Sequence, residues 1–111
     1  MNIEDLRNYC LSLDGVTEKM PFEVFFRNRE TLLAFYGPKN HIFCLIDIDR
    51  NDKCTVRNTP EKITELKEKF MAITNPYNFD PNVWIGIKFN LDMSDSLIKK
   101  LVMESYTITN K

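Results

Sequence analysis

Two short stretches carry, at a regular spacing, the residue types best suited to binding chemistry. Lys53, Thr55 and Arg57 alternate with Cys54 and Val56, while Trp84, Gly86 and Lys88 alternate with Ile85, Ile87 and Phe89. Successive side chains of a strand point to opposite faces. Each stretch, if extended, therefore buries its apolar set and presents the other. If the two strands share a sheet, Lys53, Arg57, Trp84 and Lys88 occupy one face. Lysines and arginines there suit phosphates, and a tryptophan suits stacking or wedging against bases. The competing explanation is an ordinary solvated face, with Trp84 tucked beneath the loop that precedes it.

The remaining candidates are weaker. His41 is the only histidine, and its place after a turn and at the start of a strand fits a partly exposed structural residue. Cys10, Cys44 and Cys54 are odd in number, widely spaced and set among apolar or β-branched neighbours. They form no disulfide framework and no Cys-x-x-Cys pair, so they read as small buried hydrophobes. Asp47, Asp49 and Asp52 open like a calcium loop, but Asp52 stands where that loop needs glycine and Asn58 where it needs glutamate. Three glycines cannot build a phosphate-cradling loop, and no nucleophile elbow or catalytic triad spacing appears. These absences predict a non-catalytic protein without metal or cofactor. The exception would be a site made by tertiary contact and marked by a deep pocket with converging polar groups.

Charge and length bound the partners. Fifteen Lys and Arg against sixteen Asp and Glu leave a formal charge of −1 and a pI near 5.8. Duplex-binding domains usually carry a positive excess, so any nucleic-acid contact must be local. The 111 residues predict one domain over 1–111, with no repeat or flexible linker. No stretch approaches the roughly 18 apolar residues of a membrane span. The acidic, helix-like start predicts no signal peptide and hence a cytoplasmic protein.

Several elements must position these residues. Asn2 caps a helix running to Leu13, with Ile3, Leu6, Cys10 and Leu13 at helical spacing and Gly15 beyond it. Thr31–Tyr36, His41–Asp49 and Lys53–Asn58 form an antiparallel meander, turning at Gly37–Asn40 and Arg50–Asp52, with a further strand expected at Glu23–Asn28. Thr59-Pro60-Glu61 opens a second helix with a narrow stripe of Ile63, Leu66 and Phe70. After the turn-rich Asn75–Asn82 comes the strand Val83–Phe89. Ser94-Asp95-Ser96 then caps a last helix lined by Leu97, Ile98, Leu101, Val102 and Tyr106. The order predicts α+β architecture: an antiparallel sheet with N-terminal, middle and C-terminal helices on one face and water on the other.

Leu11-Ser12-Leu13-Asp14-Gly15-Val16-Thr17-Glu18 followed by Pro21-Phe22 resembles the opening of the MmcQ/YjbR family. Pro60-Glu61, Trp84 and the closing Glu104-Ser105-Tyr106 fall in matching order, so the resemblance spans nearly the whole chain. At Asp80-Pro81-Asn82-Val83 the chain departs from the basic residues and histidine that members often carry before the tryptophan. The resemblance implies a frataxin-like fold in a double-wing arrangement and a DNA-binding role. Lys53, Arg57, Trp84 and Lys88 are the expected contacts. The alternative is a protein-interaction module or homodimer using the same face or an edge strand.

Overall fold

A computed structural model describes residues 1–19, 32–47, 53–77 and 79–111. Its elements are α1 (Ile3–Leu11), β1 (Thr17–Lys19), β2 (Leu32–Tyr36), β3 (Ile42–Asp47), β4 (Lys53–Arg57), α2 (Pro60–Lys69), β5 (Ile73–Thr74), β6 (Trp84–Lys88) and α3 (Asp95–Thr109). The strands form one sheet in the order β1-β2-β3-β4-β6-β5, antiparallel at every pairing. The fold is α+β. The strand expected at Glu23–Asn28 lies outside the described residues, as do Asp49 and Asp52.

Local chemistry sets the helix starts. The side chains of Asn2, Thr59 and Ser94 accept from the backbone N–H groups of Asp5, Lys62 and Leu97, satisfying donors that a helix leaves orphaned. α1 stops two residues short of the expected Leu13, with Ser12 as its cap: the Ser12 N–H still reaches the Asn8 carbonyl, and the Ser12 hydroxyl donates to the Tyr9 carbonyl. Gly15 then takes φ +70 against Pro38, whose Cβ would lie 2.9 Å from any Cβ added there. This turn delivers β1 to the sheet edge.

All three helices pack on one face. Leu6 and Cys10 from α1, Ile63 and Leu66 from α2, and Ile98, Leu101 and Val102 from α3 join Phe35, Cys44, Ile46, Cys54, Val56, Ile85 and Ile87 in one buried cluster. Asp92 fastens the strand after α2, accepting from the N–H groups of Met71 and Ala72 at 2.7 and 2.9 Å. Those amides hold its carboxyl below the usual range.

The opposite face is not the open surface that alternation predicts. Leu32, Ala34 and Leu45 are buried there, with Tyr36, Ile42, Tyr77 and Phe79 packed against them. β2 and β3 are apolar on both sides, and a strand of that kind needs cover on both. The loop after β5 supplies it. The Tyr77 N–H donates to Thr55 Oγ1 at 3.1 Å, closing the centre of the β4–β6 surface.

The three cysteines are free and fully buried. They also meet one another. Hydrogen bonding with Cys10, then with Cys54, and burial push the Cys44 thiol well above its ordinary value. A folded-state value raised in this way contributes stability below the unfolded thiol's pKa of about 8.5, lost as pH rises past it. We expect unfolding midpoints in urea to fall above that pH, and less so in Cys44→Val. A thiol reagent at neutral pH should find no reactive cysteine in the native protein and all three once it is unfolded. Rapid labelling of the native protein would contradict the burial.

Candidate nucleic-acid interface

β4 and β6 are sheet neighbours although α2 and β5 separate them in sequence. Their register sets Lys53 opposite Lys88, Thr55 opposite Gly86 and Arg57 opposite Trp84. The four residues singled out by alternation thus form two cross-strand pairs on one face. Four residues of strand separate the pairs by about 13 Å. Lys53 is half-buried and Lys88 exposed, whereas Thr55 and Gly86 between them are buried under the β5 loop.

Trp84 is not a free stacking platform, because only 9% of its surface is accessible. Phe79 stacks on it at 4.6 Å between centroids and 24° between planes. The guanidinium carbon of Arg57 lies 5.9 Å from its ring centroid. The turn before β6 brings Phe79 there. Asp80 accepts the Asn82 N–H at its side chain, and the N–H groups of Val83 and Trp84 at its carbonyl. The tryptophan is therefore a wall that Phe79 covers, and the cation beside it is Arg57.

Arg57 faces a cleft at this end of the sheet, of about 520 Å³. Tyr36, Phe79 and Trp84 supply its aromatic walls, and Ile42 and Ile108 its aliphatic ones. Asn40, His41 and Thr109 join Arg57 as polar lining, and no described lining residue is acidic. Among the described residues no carboxylate pairs with Arg57. The hairpin between β2 and β3 places His41. The N–H of Gly37 donates to the His41 carbonyl, and Asn40, at φ 63, donates its N–H to the Gly37 carbonyl. Lys19 adds a second cation nearby, its Nζ 4.7 Å from the Tyr36 ring centroid and 3.4 Å from Asn40 Oδ1. Burial raises the Tyr36 hydroxyl pKa, which keeps it protonated as a donor.

Strand alternation points to Arg57 and Trp84 of this cleft and not to Tyr36, Asn40, Phe79 or Thr109. His41, expected to be a partly exposed structural residue, is exposed and lines the cleft. Two aromatics in a loop otherwise made of turn residues were the available signal for Phe79, since such rings rarely stay in water without packing down. Nothing in the chain's periodicity foretold that the end of α3 reaches the start of β3.

A family model described as YjbR matches residues 11–108. The chain belongs to the YjbR family. Solved structures agree on the fold. A Deinococcus radiodurans protein with a DUF419 domain superposes with TM-score 0.84 at 23% identity, covering 98% of this chain and 78% of that one. A Pseudomonas syringae protein in crystal form gives 0.81 at 17% identity, covering 98% and 99% of the two chains. A solution structure of a protein from that organism gives 0.74 at 17% identity, covering 98% and 93%. No curated protein matches the sequence. Among the described residues, no group of three or more His, Cys, Asp and Glu could hold a metal, and no helix is long and apolar enough to cross a membrane.

Proposed function

We propose that this YjbR-family chain is a non-catalytic, cytoplasmic, single-domain protein that binds nucleic acid along the β4–β6 face of its sheet. The observation that supports this reading most is the register pairing Lys53 with Lys88 and Arg57 with Trp84. It concentrates three cations on two adjacent strands of a chain whose overall charge is −1. Phosphates are the chemistry such a cluster suits. Trp84 acts by backing Arg57, not by intercalating, since Phe79 occupies its face.

Salt dependence tests the reading. Three phosphate contacts give a log–log slope of affinity against salt of about −2 to −3, depending on strandedness. Anisotropy of labelled single-stranded and duplex oligonucleotides should show that slope. The Lys53→Gln/Lys88→Gln variant should make it shallower by about 1.4 to 1.8. No binding at low salt, or binding that ignores salt, ends this proposal.

A second reading, association with itself or another protein, draws on Met71 and Leu91, which are 83% and 52% exposed. The Met71 N–H bonds to the carboxylate of Asp92, the residue after Leu91, and neither Met71 nor Leu91 lines the cleft. Light scattering separates the readings: a dimeric mass that persists at high salt favours this one.

A further inference from the structure

We infer that the cleft beside Arg57 is a site for a free nucleoside monophosphate, bound one molecule at a time. The inference shares the Arg57–Trp84 pair with the nucleic-acid reading and makes a separate demand, that the cleft accept a single nucleotide with no strand attached.

Four features of the cleft carry it. Its volume of about 520 Å³ lies within the range of small-ligand sites, roughly 300–1,000 Å³. Its walls include the planar rings of Tyr36 and Phe79 with aliphatic Ile42, which suits a planar base. Arg57 presents a forked guanidinium without a carboxylate partner among the described residues, and such a fork matches a phosphate in bidentate fashion. Asn40, whose Oδ1 accepts from Lys19 Nζ, offers its amide N–H groups as donors to a ring nitrogen of a base.

The end of α3 poses the main physical objection, because a helix C-terminus repels anions. That end is partly capped, since Asn110 covers the Tyr106 and Thr107 carbonyls with its side-chain and backbone N–H groups. Thr109 Oγ1 donates to the Ser105 carbonyl at 2.9 Å, and Asn110 Nδ2 donates to the Tyr106 carbonyl at 2.7 Å. Those two carbonyls therefore do not point bare at the ligand. With its proton committed, the Thr109 hydroxyl still has a lone pair to accept an exocyclic amino group of a base.

Trp84 is the only tryptophan, so its single indole N–H resonance reports on this cleft and nowhere else. We expect titration of the full chain with AMP to shift that resonance saturably, with a dissociation constant of about 1 mM or tighter. Adenosine should bind at least tenfold more weakly. Arg57→Gln should weaken AMP at least tenfold and leave adenosine unchanged. Lys53→Gln/Lys88→Gln should leave AMP binding intact while it weakens oligonucleotides, which separates this site from the strand-binding face. An unmoved indole resonance at millimolar AMP overturns the inference, whether or not oligonucleotides bind. Inorganic phosphate shifting the resonance as effectively as AMP also overturns it, because the base would then contribute nothing.

Discussion

Gly86→Ala should lower stability by about 2–3 kcal/mol and shift the emission of Trp84 to longer wavelength. In an ordinary strand the same change would stabilise by about 0.5–1 kcal/mol, since glycine costs more backbone entropy than alanine. The sign therefore reports on contact alone. A Cβ on Gly86 would sit 2.5 Å from the Asn75 carbonyl oxygen and 2.6 Å from Thr74 Oγ1. Thr74 is paired with Gly86 in the β5–β6 ladder, and the Tyr77 N–H is tied to Thr55 Oγ1. Relief of the clash must break one of these. Either movement lifts the segment that carries Phe79 off Trp84. Chemical unfolding followed through Trp84 reads both effects, one as the midpoint and one as the native baseline. Thr55→Val is the comparison: it loses the bond to Tyr77 without the clash and should cost less than Gly86→Ala. An unchanged midpoint with unshifted emission for Gly86→Ala would mean that the loop is not held against β6.

Features set by neighbouring residues were legible in the sequence. The three helix caps bond within a few positions of themselves, and the alternation of β4 and β6 follows from the pleat. β1 and β5, of three and two residues, were not legible, because no periodicity shows in so short a run. They are strands only because β2 and β6 lie beside them. The cleft failed for the same reason in larger measure, since it joins β2, the β2–β3 hairpin turn, β3, β4, the turn before β6, β6 and the end of α3. Each contributes one or two side chains with no common spacing.

The residues behind the family resemblance do a different job from the cleft. Gly15 makes the turn into β1, and Glu18 accepts from Arg7 of α1, with 2.7 Å between Arg7 Nε and Glu18 Oε2. Glu104 accepts from Asn58, and the Tyr106 hydroxyl donates to the Asp14 carbonyl. These contacts fix α1 and α3 to the sheet. A resemblance carried by such positions is strong evidence for fold and says little about ligand.

Ser105 is where that scaffold and the candidate site meet. Between Phe35 and Tyr36 the β2–β3 register steps from Cys44 to Ile42, leaving Phe43 without an opposing residue. Its ring turns to the helix face, edge-on to Tyr106 at 5.3 Å. Its carbonyl accepts from Ser105 Oγ at 2.6 Å, while the same oxygen accepts the Arg57 N–H at 2.9 Å. One fully buried hydroxyl thus satisfies backbone groups on β3 and β4 together. Ser105→Ala orphans both, and at roughly 1–3 kcal/mol for each unmet group the expected loss is about 3 kcal/mol. Tyr106→Phe, one residue on, removes a hydrogen bond that is solvent-exposed, at 2.7 Å. Water can replace that partner, so the change should cost about 0.5–1 kcal/mol. Because the lost hydroxyl also anchors the backbone of Arg57, Ser105→Ala should weaken AMP in the indole titration, and Tyr106→Phe should not. Equal losses of stability in the two variants would show that water reaches Ser105, and that the bulge carbonyl of Phe43 does not depend on α3.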